Sequence, residues 1–238
     1  MHKTIETQPS PVELFMTSWR VYQEIIEHNY MFHQEITSAV AQQLVRFKPD
    51  TSLKILDLGC GDASMAIPLI PPERILNYLG CDLSQPALNI ATKKLLNAGV
   101  PHKLICDDML KAASEQPDRS IDLVISSYAI HHLGPSQKQT MVQEISRLLS
   151  DDGCFVLIDI FREPNEDRAT YLHHYMSDLR LTWTQLSLAS QKLVVDHATA
   201  YDFPETSEFY QVTCQKQGIN LGCRLAKHTW HEAWAFQR

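Results

Sequence analysis

The chain lacks three things that would announce a specialised role: a CxxC pair, a run of basic residues, and an apolar stretch near the ~20 residues that a bilayer span needs. Its six cysteines, at 60, 81, 106, 154, 214 and 223, are scattered, and four of them fall in or beside apolar runs. A free cysteine there behaves as a small hydrophobe, so we read reduced thiols in a cytoplasmic protein, without zinc ligands or disulfides. The densest basic spot is Lys93-Lys94 and the net charge is −7, which disfavours nucleic acid as a partner. Eight glycines and twelve prolines in 238 residues are too few for a fibrous or linker-like chain. The N-terminus does not show the basic-then-apolar layout of a secretory signal. What remains is an ordinary globular balance, 44% hydrophobic and 21% charged.

The hydrophobic period changes along the chain. Residues 1–10 read as frayed. Trp19, Tyr22, Ile25 and Ile26 recur at helical steps, and a second helix follows the His28-Asn29 break with Ile36, Val40 and Leu44 on one face. From Leu53 strands alternate with helices: 53–58, 75–81, 102–106, 121–126 and 154–160 read as strands. Residues 64–70, 86–98 and 136–149 read as helices, and Asp152-Gly153 as a turn. Such alternation predicts a parallel sheet covered on both faces. Residues 162–191 read as mostly helical, 197–204 as an irregular loop, 204–218 as a helix, and 220–237 as two strands. The expected organisation is one domain over 1–238. It comprises a helical cap (1–46), a cofactor-binding core (47–161), a helical lid (162–207), and a final helix with a strand pair (208–238).

Chemistry concentrates after the first strand. Asp57-Leu58-Gly59-Cys60-Gly61 stops a buried strand on two glycines, which allow positive φ and close approach of a ligand to the backbone. Ligands of open parallel sheets bind beyond such strand ends. A purely structural turn has the same appearance. Asp82 ends the second strand 21 residues past Gly61, a spacing that suits an acid on ribose hydroxyls. Its other reading, a cap for the next helix, is filled better by Ser84. A dinucleotide fold wants G-x-G-x-x-G for its pyrophosphate, and Ser64 occupies the sixth position here.

These residues resemble the first motif of class I S-adenosylmethionine-dependent methyltransferases, acid-x-Gly-x-Gly-x-Gly, with Ala63 in place of the third glycine. Asp107-Asp108-Met109, Asp122–Ser126 and Arg147-Leu148-Leu149 with Gly153 fit later positions of that family. The resemblance covers about 53–160. It implies a Rossmann-like, doubly wound α/β fold with a seven-stranded, mostly parallel sheet, and S-adenosyl-L-methionine as cofactor, released as S-adenosyl-L-homocysteine. It also implies roles. Gly59 and Gly61 would flank the methionine portion and Asp57 its amino end. Asp82 would take the ribose, Leu83 would pack on adenine, and Asp108 and Met109 would read the adenine. Ser126 would line the methionine end.

Methyl transfer needs a positioned, desolvated nucleophile and, where that atom is protonated, a base. His131 and His132 follow the fourth strand; either orients or deprotonates the acceptor, or His132 is a packing residue of this loop. His197, Tyr201 and Glu205 lie in a second polar stretch that either lids the substrate or is a capped loop. Tyr128, Asp159 and Arg162 are further substrate candidates, Arg162 having a surface acid as its alternative partner. Trp19, Tyr22, Tyr30 and His33 either close over the site or form the core of the cap. His173-His174 point to different sides of a helix, so no metal site is expected. The expected function is methyl transfer to an O or N atom of a small polar metabolite, by a monomer or homodimer. A protein-modifying methyltransferase and a non-catalytic S-adenosylmethionine-binding module stand as alternatives.

Overall fold

The computed structural model describes residues 11–238, except for the side chains of residues 11–18 and Leu221. The expected frayed start lies outside the described residues. Seven strands form one sheet: β1 (Leu53–Leu58), β2 (Ile75–Asp82), β3 (His102–Cys106), β4 (Ile121–Ser127), β5 (Leu149–Ile160), β6 (Leu221–His228) and β7 (His231–Gln237). Their spatial order is β3-β2-β1-β4-β5-β7-β6. β1 through β5 pair in parallel; β7 runs antiparallel to β5, and β6 to β7. The chain winds outward from β1 to β3, then returns to lay β4 on the other side of β1. That reversal leaves a crevice at the carboxyl ends of β1 and β4.

β1 is apolar almost throughout because both faces are covered. Leu53 and Ile55 face one core layer and Leu56 and Leu58 the other, as the two-residue pleat requires. The first layer holds α2 (His33–Leu44) through Ile36, Val40 and Leu44, and α3 (Gln85–Asn97) through Leu88, Ala91 and Leu95. The second holds α4 (Met109–Ser114), α5 (Pro135–Leu148) and α8 (Ser207–Lys216), with Met141, Val142, Ile145 and Tyr210 buried. α1 (Pro11–Glu27), α6 (Arg168–Thr182) and α7 (Leu188–Tyr201) gather over the crevice.

Several expectations need correction. Residues 64–70 form no α-helix; Pro68 lacks the N–H donor, and only a 3-10 turn at Ile67–Leu69 survives. The Asp152-Gly153 turn is absorbed into β5, whose register against β4 shifts between Ile121 and Leu123. α4 is absent from the sequence reading: it has six residues, too short to show a period. The expected loop at 197–204 is largely helix, because α7 continues to Tyr201. Arg168 holds that last turn by donating to the carbonyl oxygens of Thr199 and Asp202 at 2.6 Å each. A tertiary clamp of this kind leaves no local signature.

Candidate active site

The glycine turn is pinned over the end of β2. Gly59 and Cys60 N–H both donate to the Cys81 carbonyl oxygen at 2.9 Å. The Asp82 carboxylate then fastens the turn to the start of α3: Oδ2 accepts from Gly61 N–H at 2.9 Å and Oδ1 from Ser84 N–H at 2.8 Å. Each oxygen keeps a second lone pair for a ligand. Gly59 (φ 70°) and Gly61 (φ 51°) adopt the left-handed conformation. A Cβ on Gly61 would meet nothing within 4 Å, so its backbone borders open space.

Asp57 lies beneath this turn and is buried. Tyr78 donates its hydroxyl to Oδ2 at 2.6 Å, while Oδ1 has no partner among the described residues. Burial pushes the Asp57 pKa up from 3.8 to about 7; the Tyr78 bond opposes this, and the Asp82 charge adds to it.

Towards β3 the expected residues lie on an open surface. Leu83 is 75% exposed, an apolar side chain left facing outward beside Asp82. Asp108 caps α4, its Oδ1 accepting from Leu110 N–H at 2.9 Å and Lys111 N–H at 3.2 Å. Asp107 pairs with Lys111. Ser126 is fully buried, and its hydroxyl donates to the Leu58 carbonyl oxygen at 3.2 Å, strapping β4 to β1.

The other half of the site follows β4. Tyr128 sits at φ 51°, a strained conformation for a bulky residue. It is held there by its N–H on the Ile158 carbonyl and its hydroxyl on the Met31 carbonyl, both at 2.7 Å. A 3-10 turn at Ile130–His132 then presents two imidazoles, 4.0 Å apart. His131 is buried. Its Nδ1 pairs with the buried Asp159, whose Oδ2 also accepts the His131 backbone N–H at 3.1 Å. Burial lowers the His131 pKa, but the charges of Asp159 and Asp202 outweigh that, and the net shift is upward. His132 stands at the rim, its Nδ1 3.2 Å from the Tyr201 carbonyl oxygen. Burial, then the charge of His131, pull its pKa down to about 4. A neutral ring that donates from Nδ1 to a carbonyl keeps its lone pair on Nε2.

One cavity of about 320 Å³ joins the two halves. Gly61, Asp82 and Ser84 line one side; Tyr128, His131, His132, His197 and Asp202 line another; Trp19, Tyr22, Tyr175, Trp183, Leu193 and Val194 supply the apolar walls. Trp19 and Tyr22 thus line the cavity. Tyr30 does not: its ring stacks on Trp183 at 5.1 Å, and its hydroxyl accepts from Gln185 N–H at 2.8 Å. His33 is buried behind Tyr128, 5.2 Å ring to ring. Arg162 is taken by Glu205 at 3.1 Å, which leaves neither beside the cavity. The Tyr201 side chain is 61% exposed and turns outward; its backbone carbonyl is what touches the site. Asp202, absent from the expected set, is buried beside all three histidines. An acid directly after a helical turn and before Phe203-Pro204 gives no sequence signal of its own.

Comparison with known proteins agrees with this geometry. Residues 55–153 match the family model of a methyltransferase domain. Those residues thus carry a methyltransferase domain. A carboxy-S-adenosyl-L-methionine synthase from Actinobacillus succinogenes is 23% identical to it over 221 residues, 87% of this chain and 89% of that protein. An uncharacterized methyltransferase from Schizosaccharomyces pombe is 31% identical over 132 residues, 55% of this chain and 47% of that protein. Magnesium protoporphyrin IX methyltransferase from Synechocystis, solved with bound S-adenosylmethionine, shares the fold at a TM-score of 0.60 and 16% identity, covering 94% and 90% of the two chains. The enzyme's cofactor is S-adenosylmethionine, and the site fits it. Gly61 leaves its flank open on the cavity and Asp82 keeps free lone pairs there, while the unpartnered Asp57 oxygen lies buried beneath the turn. No helix of the described residues is long and apolar enough to cross a membrane.

Proposed function

We propose that the enzyme transfers the S-adenosylmethionine methyl group to an oxygen or nitrogen of a small polar molecule. The observation that carries this reading is the single walled cavity running from Gly61 and Asp82 to the histidines. In this reading Asp82 binds the ribose, Leu83 and Met109 pack on the adenine, and Asp108 accepts from its amino group. Gly59, Gly61 and Asp57 receive the methionine portion. Ser126 acts through the strand ends rather than by contact.

The bound cofactor supplies a methyl group already activated by its sulfonium. What the chain must do is orient the acceptor, exclude water and manage one proton. Tyr128 and the aromatic walls exclude water. His131, fixed by Asp159, orients. His132 stays neutral across the physiological range and can accept a hydrogen bond at Nε2 from the acceptor's N–H or O–H. Its weak basicity suffices, since that proton becomes strongly acidic as positive charge develops on the methylated atom.

The similarity to carboxy-S-adenosyl-L-methionine synthases over most of the chain supports a second reading, in which the nucleoside leaves the site as a carboxylated product. The described cavity walls include no Lys or Arg to hold one, which favours the first reading. Mass spectrometry of the nucleoside that copurifies separates the two. Turnover is then tested with methyl-labelled cofactor and a small-molecule extract. Label in a low-mass product with matching S-adenosylhomocysteine is expected. Label confined to protein, or a carboxylated nucleoside in the pocket, overturns the proposal.

A further inference from the structure

Three side chains of the cavity converge on one atom. Asp202 Oδ1 is buried and has no hydrogen-bond partner among the described residues. His131 Nε2 and His132 Nδ1 each lie 3.5 Å from it. His197 Nε2 lies 3.8 Å away, at the rim. These separations exceed the ~3.2 Å reach of an N–H···O hydrogen bond. They approach a different length. Metal–ligand bonds of about 2.0–2.1 Å at tetrahedral angles set neighbouring donor atoms about 3.3–3.4 Å apart. The three donor atoms lie within 4.8 Å of one another.

We propose that His131 Nε2, His132 Nδ1 and Asp202 Oδ1 bind a divalent first-row transition metal ion, with a fourth position open to the cavity. Two imidazoles and one carboxylate suit such ions; magnesium and calcium prefer all-oxygen sets. Three protein ligands with one position open is the arrangement of catalytic rather than structural sites.

The surroundings support the assignment independently. A metal-ligating imidazole commonly donates its other nitrogen to a carboxylate, and His131 Nδ1 does so to Asp159. That carboxylate is itself fixed by the backbone N–H groups of His131 at 3.1 Å and Ile160 at 2.9 Å. The two segments carrying the ligands are also joined. Phe203 N–H donates to the His131 carbonyl oxygen at 2.9 Å, and the buried Lys138 donates to the carbonyls of both Leu133 and Phe203. Arg168 clamps the Asp202 backbone from the other side. The His132 ring has to adjust, trading its long contact with the Tyr201 carbonyl for the ion. In the methyl-transfer reading, the ion would then take over activation of the acceptor from His132. The site itself does not depend on that reading.

Cobalt(II) is the probe. Protein stripped with a chelator is titrated with cobalt chloride, followed by visible absorption, and zinc chloride uptake is followed by calorimetry. One equivalent of each is expected, with the intense visible bands of four-coordinate cobalt, displaced by zinc. Asp202→Asn and His132→Ala should each weaken uptake at least about 100-fold, and Asp159→Asn about 10- to 100-fold. His174→Ala, an exposed imidazole paired with Glu166, serves as the control and should bind as the parent does. Calorimetry with S-adenosylmethionine on the same variants shows which are folded, and keeps failure of this site distinct from failure of the cofactor site. Absence of stoichiometric cobalt uptake by the parent protein overturns the proposal. So does uptake that survives in both Asp202→Asn and His132→Ala, which would mark the cluster as a seat for an organic cation or for protons alone.

Discussion

Ala129 stands where a side chain on Gly59 would have to go: a Cβ built there would lie 2.3 Å from the Ala129 Cβ. The glycine turn after β1 and the segment after β4 are in contact at that point, and neither can retreat without shifting a strand end. The two glycines of the motif therefore differ. Gly59→Ala meets both a clash and a left-handed φ, and should lower Tm substantially and abolish cofactor binding. Gly61→Ala meets only the unfavourable φ, a cost of about 1–2 kcal/mol, or roughly 2–8 °C of Tm in a chain of this size. Its methyl group should nevertheless weaken cofactor binding about 10-fold or more, because it occupies the open flank. Thermal melts and calorimetry on both variants check this; equal melts would show that the Ala129 contact is not limiting.

Asp82 fastens the turn and offers its remaining lone pairs outward. Asp82→Ala removes two charge-assisted bonds to Gly61 and Ser84 and the ribose acceptor together. S-adenosylmethionine affinity should fall by at least about 100-fold, the equivalent of roughly 3 kcal/mol. Asp82→Asn keeps the shape and should lose less. Unchanged affinity in the alanine variant would remove Asp82 from the site.

The raised pKa of Asp57 has a sign that can be tested. Between 3.8 and about 7 the native state holds a proton that the unfolded chain has released. Its stability contribution is therefore complete below about pH 4 and is lost as pH rises through about 7. Without cofactor, melts should weaken from pH 5 to pH 8, and Asp57→Asn should flatten that slope. A cation brought to the orphaned Oδ1 lowers the pKa, so cofactor binding near pH 6 should release protons. Calorimetry in buffers of differing ionisation enthalpy measures this; no proton release would place the ammonium elsewhere.

Lys138 is fully buried, and two backbone carbonyls receive its ammonium. Lys138→Met keeps the volume and leaves both carbonyls unpaired, at a cost of about 1–3 kcal/mol each. Tm should fall, and the turn bearing His131 and His132 should loosen from Phe203. Cofactor affinity should hold while turnover falls, since Asp82 and the glycine turn are remote from Lys138. A parallel loss of both would show that the two halves of the cavity are not separable.

The sheet was legible because its strands are buried on both faces and its glycine turn is dictated by backbone geometry; 53–58, 75–81 and 102–106 match the observed strands closely. The position of Asp82 was legible because its distance from Gly61 reflects one crossover from the end of β1 to the end of β2, although only 3-10 turns fill that crossover. The histidine side was legible only in part. His131 and His132 follow β4 directly, so position alone suggests them. Asp202 meets them from a helix end about 70 residues later, placed by Arg168, Lys138 and Phe203, none of which carries a local signal. Arg162 and Glu205 pair with each other, an arrangement visible only once both are in space.

That pairing marks where the insertion starts and ends. Phe161 and Glu205 form a parallel bridge, and Arg162 N–H donates to the Glu205 carbonyl oxygen at 3.2 Å. The segment between them thus leaves the sheet and rejoins it at one spot. The entropic cost of closing such a loop grows only slowly with its length. The exposed turns within 162–205 can therefore lengthen or shorten with little strain, while Tyr171, Leu179 and Trp183 keep the segment packed on the core. The cavity wall that this segment supplies, Tyr175, Trp183, Leu193 and Val194, is thus covalently far from the glycine turn it faces.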